Sequence, residues 1–165
     1  MIFCYSVTQN SKLCADTFGK ILNQPVYMLD TDLDPNNKTA FMVLCIWKAL
    51  TKKSYPVLNM PGSDHFNTNE IYVCAPIWGG QPAAPIRYFF ENAPLEGIKV
   101  HMLLTAGISH IKYISTGIKM IVAAGGIPGT VEVFASDSKA GLENPESEQN
   151  NQDVIESHIQ ELFFK

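Results

Sequence analysis

The side chains best suited to chemistry in this 165-residue chain crowd into one turn, Ser6-Val7-Thr8-Gln9-Asn10-Ser11, which follows directly on the apolar run Ile2-Phe3-Cys4-Tyr5. Ser6, Thr8, Asn10 and Ser11 all carry side-chain hydrogen-bond donors. A helix beginning near Ser11 adds free backbone N–H groups and the positive end of its dipole, aimed back at the turn. This combination suits a phosphate. The turn holds no Lys or Arg and the Walker pattern is absent. An anion held by neutral donors fits a group that is bound and kept, because phosphoryl transfer draws on Lys and Mg²⁺. Ser, Thr and Asn also cap ordinary helices, so the surrounding elements decide between the two readings.

Those elements alternate. Residues 1–5 read as a strand, and Leu13, Cys14, Thr17, Phe18, Ile21 and Leu22 recur at helical spacing over 11–22. Pro25 to Asp30 reads as a second strand, and Thr39 to Lys52 as a helix with a broad apolar face in which Trp47 reads as core. The run Ile71 to Ile77 is almost continuously apolar, the mark of a strand covered on both faces. Further on, Pro85–Asn92 and His110–Ala124 read as helices, Lys99–Leu104 and Thr130–Ala135 as strands, and Asp153–Phe163 as a closing amphipathic helix. Five strands separated by helices predict right-handed parallel crossovers. The expected fold is a three-layer α/β/α sandwich on a five-stranded parallel sheet, order 2-1-3-4-5 counting strands along the chain. In such a sheet ligands bind beyond the carboxyl ends of the strands, where the winding reverses. The segments Ser6–Ser11, Pro76–Pro82 and Thr105–His110 therefore converge.

The bulk numbers narrow the partners. The length, with 46% apolar and 17% charged residues, predicts one globular domain. A net charge of -4 speaks against nucleic acid as a partner. Cys4, Cys14, Cys45 and Cys74 stand singly in apolar stretches, without a C-x-x-C pair, which predicts reduced, buried thiols and a cytoplasmic setting. No apolar run reaches the roughly 18 residues of a membrane span, and no signal-like segment opens the chain. No metal site is expected: Asp30-Thr31-Asp32-Leu33-Asp34 begins like an EF-hand loop, but Pro35 and Phe41 stand where that loop needs Gly and Glu. No hydrolytic triad or paired-carboxylate spacing stands out, and the polar stretch Ser136–Gln152 reads as a solvated loop.

With the loops so placed, the chain resembles the flavodoxin-like flavoproteins over nearly its whole length. The first loop matches in Ser6, in Ser11 where the family has Thr, and in Ala15; Gln9 stands where Gly is usual. The segment Ala75-Pro76-Ile77-Trp78-Gly79-Gly80-Gln81-Pro82 resembles the Pro-Ile/Val-Trp-x-Gly-x-Pro stretch of one branch of that family. Thr105-Ala106-Gly107-Ile108-Ser109 is similar to a Thr-x-Gly-Gly-Ser segment, with Ile108 in place of the second Gly.

The resemblance implies FMN as cofactor. Ser6, Val7, Thr8, Gln9, Asn10 and Ser11 would then hold its 5′-phosphate. Trp78, beside Pro76 and Ile77, would lie against the isoalloxazine ring, while Gly79 and Gly80 let the backbone approach the ring edge. Thr105, Ala106, Gly107 and Ser109 would line its pyrimidine edge. Three functions stay open: an electron carrier docking on a redox partner protein, a reductase taking NAD(P)H and a small acceptor, and a binding or regulatory domain that keeps the fold without the flavin. The reductase needs a second pocket, for which the small residues Gln81-Pro82-Ala83-Ala84 leave room, and Gln9 and Ile108 motivate the last reading. Either a monomer or a homodimer is compatible with all three.

Overall fold

The computed structural model describes residues 1–7, 9–33, 38–107, 111–135, 157 and 160–161. Strand β1 (Ile2–Cys4) leads into helix α1 (Asn10–Leu22), then β2 (Val26–Met28), α2 (Lys38–Thr51), a short 3₁₀ turn (Ser63–Phe66) and β3 (Glu70–Trp78). The chain continues with the two-residue β4 (Gln81–Pro82), α3 (Ala84–Asn92), β5 (Lys99–Ala106), α4 (Ile111–Ala123) and β6 (Ile127–Ala135). The parallel sheet runs β2-β1-β3-β5-β6, with β4 paired antiparallel to the end of β3. Discounting β4, this is the expected order 2-1-3-4-5. The polar stretch Ser136–Gln152 and most of the expected closing helix lie outside the described residues, although Ser157, Gln160 and Glu161 are helical.

Two-residue alternation along the strands divides the core between the two faces. Ile2 and Cys4 of β1, Tyr72 and Cys74 of β3 and Leu103 of β5 turn toward α1, where Cys14, Ala15 and Phe18 meet them. Phe3, Ile71, Val73, Val100, Met102 and Leu104 face the other way, against Ile86 and Phe89 of α3 and Ile121 of α4. Both faces are thus covered, which is why β3 tolerates no polar alternation. Phe3, fully buried, sits 5.3 Å from the ring of Phe66 and 4.9 Å from that of Phe89. A side chain of this kind contributes about 1.5–3 kcal/mol on burial. The four cysteines are buried free thiols.

Strand β6 begins at Ile127, earlier than the expected Thr130, because it pairs only with β5 among the described residues and an edge strand accepts Pro128. Its register slips between Val100 and Met102. At that bulge the Thr130 N–H donates to Nδ1 of the buried His101 at 3.0 Å. Gly129 closes over the imidazole so tightly that a Cβ there would lie 2.7 Å from the ring. No helix among the described residues is long and apolar enough to cross a membrane.

Candidate functional site

The registers Cys4↔Cys74 and Pro76↔Thr105 set the carboxyl ends of β1, β3 and β5 side by side. The chain passes from β1 outward to β2, then returns across β1 to β3 and onward to β5. The reversal therefore falls between β1 and β3. All three segments singled out in the sequence leave the sheet at this edge.

The first segment is held up to Tyr5 by its neighbours and then released. Leu29 N–H donates to the Cys4 carbonyl at 2.7 Å and Tyr5 N–H to the Cys74 carbonyl at 3.1 Å. Immediately beyond, the Ser6 hydroxyl is buried and has no hydrogen-bond partner among the described residues. An orphaned buried hydroxyl costs about 1–3 kcal/mol; Thr17 Oγ1 on α1 is likewise without a partner among the described residues, and what distinguishes Ser6 is its place at the carboxyl edge of the sheet. Val7 is half-buried against the core, and Thr8 lies outside the described residues. Gln9 adopts φ 65° and ψ -21°, the left-handed region, and its carbonyl accepts the Leu13 N–H at 2.8 Å to start α1. No side chain among the described residues caps the helix at Gln9, whose position sends the first-turn amides of Asn10 and Ser11 back toward the turn. Ser11, 1% exposed, shares a 2.6 Å hydrogen bond with Thr105, which joins the first segment to the third across 94 residues. Lys12 is engaged with Asp16 on the exposed side of α1.

The second segment is a hairpin. Ile77 pairs with Pro82 and Trp78 with Gln81, while Gly79 and Gly80 have φ of 53° and 81°. Positive φ at both central residues is the signature of the type I′ turn, which suits the right-handed twist of the strands and strongly favours Gly at both positions. The double glycine thus serves the turn, and the same lack of side chains keeps the hairpin tip bare. Ala83 N–H donates to the Pro76 carbonyl at 3.0 Å, after which Pro85 opens α3. Pro82, Ala83 and Ala84 are buried. These three belong to the hairpin's return into α3, while Gln81 lines a groove together with Arg87 of α3 and Lys112 of α4. Trp78 is half-buried, met edge-on by Tyr5 at 5.6 Å and by Phe41 at 5.2 Å.

In the third segment Thr105 and Ala106 are buried and Gly107 is exposed, with nothing within 4 Å of where its Cβ would stand. Ile108, Ser109 and His110 lie outside the described residues.

Helix α2 packs on this same edge, with Phe41 on Trp78 and Cys45 beside Tyr5. Burial pushes the Tyr5 phenol up to about 12, against a hydrogen bond with Thr31 that lowers it, so the group stays neutral. Because α2 presents Phe41 and Cys45 inward, its opposite side faces water. Val43 is 63% and Trp47 47% exposed, which corrects the expectation that Trp47 belongs to the core. The Trp47 ring instead carries the ammonium groups of Lys48 and Lys53, 5.4 and 5.3 Å from its centroid. Sequence reasoning missed both the hairpin and the Tyr5–Trp78–Phe41 cluster. The Gly-Gly pair between apolar runs signals the hairpin, but no local pattern signals the cluster.

The edge therefore offers an orphaned hydroxyl and helix amides at one end, an aromatic flanked by a bare glycine turn in the middle, and a strand end tied back by Ser11 at the other. No family model matches the sequence, and no curated protein is similar to it. Solved structures are similar in fold. A protein from Bacteroides eggerthii superposes with a TM-score of 0.67 at 17% identity, over 93% of this chain and 95% of its own. A flavoprotein from Lactobacillus acidophilus in complex with FMN gives 0.65 at 19%, over 86% and 97%. The two-electron reduced flavodoxin of Megasphaera elsdenii gives 0.53 at 13%, over 94% and 98%. The chain has the flavodoxin-like fold.

Proposed function

We propose that this protein binds FMN at the β1–β3–β5 edge and passes electrons through it. The observation that carries the reading is the buried Ser6 hydroxyl, without a hydrogen-bond partner among the described residues, beside the start of α1. A phosphate dianion there accepts from Ser6 and from the helix amides. In this arrangement Ser6 to Ser11 hold the phosphate, with Ser11 acting through Thr105 to fix the turn. Pro76, Ile77, Trp78, Gly79 and Gly80 flank the ring, and Thr105, Ala106, Gly107 and Ser109 border its pyrimidine edge. The bound flavin supplies the redox chemistry; the protein positions it and keeps water from one side. Tyr5 and Phe41 keep Trp78 from collapsing into the space a ring occupies. In this reading the protein is a carrier that docks its flavin edge on a partner protein.

Titration of the purified protein with FMN tests this. Expected are quenched flavin fluorescence, saturation at one FMN per chain, and weaker binding of riboflavin, which lacks the phosphate. A protein that leaves added FMN unchanged refutes the reading and leaves the flavin-free domain. NADPH oxidation with a quinone well above the rate of free FMN replaces the carrier with the reductase.

A further inference from the structure

The cations of this chain are unevenly placed. Lys48, Lys52 and Lys53 gather at and just past the end of α2, Arg87 lies on α3, and Lys119 follows on α4. Among the described residues two carboxylates meet this group: Glu91 lines a groove with Lys52, Arg87 and Lys119, and Asp32 accepts from the Tyr55 hydroxyl at 2.9 Å. On the other side of the sheet, Lys12 of α1 is engaged with Asp16. Lys52, Lys53 and Lys119, by contrast, are exposed and form no ion pair among the described residues. In a chain whose net charge is -4, this side is a local reversal of sign. A molecule so divided turns its positive side toward an anionic partner and repels that partner elsewhere.

The group is built around a ring. Lys48 Nζ donates to the Ser54 carbonyl at 2.8 Å and sits 5.2 Å from the centroid of Tyr55, which fixes the turn after α2. Arg87 Nη1 reaches the Lys53 carbonyl at 3.5 Å, so the same turn is tied to α3. Trp47 lies half-exposed between the ammonium groups of Lys48 and Lys53, with the exposed Val43 one turn before it. A large ring with few rotamers to freeze is the kind of side chain that anchors an interface. This surface borders the proposed flavin edge. Phe41 of the same helix packs on Trp78, Tyr55 N–H donates to the Ala84 carbonyl at 3.0 Å, and Gln81 of the hairpin lines the groove with Lys52 and Arg87.

We infer that the α2–α3–α4 side beside the hairpin docks an acidic redox partner protein, whose carboxylates meet Lys52, Lys53 and Lys119 and whose surface covers Trp47. This rests on the proposed flavin edge as the place where electrons enter and leave. The cations belong to three helices and Trp47 does not line the groove. A small anion does not bridge such a spread, whereas a folded partner does. The lysines set the approach of that partner and its salt dependence, and the ring holds it once it has arrived.

Stopped-flow mixing of the FMN-saturated protein with a reduced, acidic [2Fe–2S] ferredoxin tests the surface. Two ferredoxins give one electron each to a flavin, which takes its protons from water and bleaches. The second-order rate constant is expected to fall about tenfold or more from low to high salt, as attraction between opposite charges is screened. Lys53→Glu combined with Lys119→Glu is expected to slow the reaction about tenfold at low salt and to leave the high-salt rate unchanged. Trp47→Ala is expected to slow it at both salts with the salt slope kept. FMN titration of each variant checks that it is folded and loaded. A rate that rises with salt or ignores it, or one that the double charge reversal leaves unchanged, overturns the inference. So does tighter binding of an oligonucleotide or of phosphatidylserine vesicles than of the ferredoxin in the same buffer. Should FMN itself fail to bind, the flavin reading falls alone, and calorimetric titration of the ferredoxin into the flavin-free protein decides the docking. Saturable binding lost in the double reversal supports the surface there, and no saturable binding overturns it.

Discussion

Ser6→Ala should move stability and cofactor affinity in opposite directions, a combination that neither a structural serine nor an idle one produces. In the flavin-free protein the Ser6 hydroxyl is buried without a partner among the described residues, whereas in the unfolded chain water satisfies it. That difference disfavours folding by about 1–3 kcal/mol. Removing one oxygen leaves a void smaller than a methyl group, so most of the gain survives. A net stabilisation of about 1 kcal/mol corresponds to a rise in Tm of about 2–4 °C for a chain of this length. With FMN bound, the same hydroxyl donates to a charged phosphate, a bond worth about 1.5–3 kcal/mol. Its loss weakens FMN by about tenfold or more. Thermal melts with and without saturating FMN, and fluorescence titrations of both proteins, measure the two effects. Ser6→Ala that lowers the Tm of the flavin-free protein, or binds FMN as well as the parent does, refutes the argument that this hydroxyl is held in reserve for phosphate.

Other expectations rest on separate features. Gln9→Gly removes a left-handed strain of about 1–2 kcal/mol while adding about 0.5–1 kcal/mol of unfolded-chain entropy; urea unfolding should show a gain of up to about 1.5 kcal/mol, and Gln9→Val a loss. Gly129→Ala drives a Cβ into the His101 ring at 2.7 Å and should cost about 1–3 kcal/mol in the same assay. His101 is pushed below its usual 6.5 by burial, partly opposed by Glu70 at 3.6 Å. The unfolded chain therefore binds the proton more readily. Stability should be full above about pH 6.5 and decline as pH falls below it, a slope that His101→Gln flattens in pH-dependent melts. Trp78→Ala strips a half-buried ring from Tyr5 and Phe41 and should cost roughly 2 kcal/mol, less than the 3–5 of a fully buried aromatic. It should also weaken FMN in the fluorescence titration.

Periodicity carried the layout of the sheet, because a strand buried on both faces and a helix with one apolar side leave different imprints on a linear chain. The run Ile71–Ile77 marked the central strand, and the spacing from Leu13 to Leu22 marked α1. The convergence of three segments followed from the winding rule alone. Positions governed by distant contacts stayed hidden. Ser11 and Thr105 both read as donors to a ligand, yet they meet each other across 94 residues. Trp47 has the local context of a core residue and lies exposed, because which side of α2 meets the carboxyl edge depends on Tyr5 and Trp78, far away in sequence. Hydrophobic spacing sets what an element must bury; which neighbour it buries against, and which hydroxyl is then left without one, is fixed when the sheet closes and its crossovers are drawn over it.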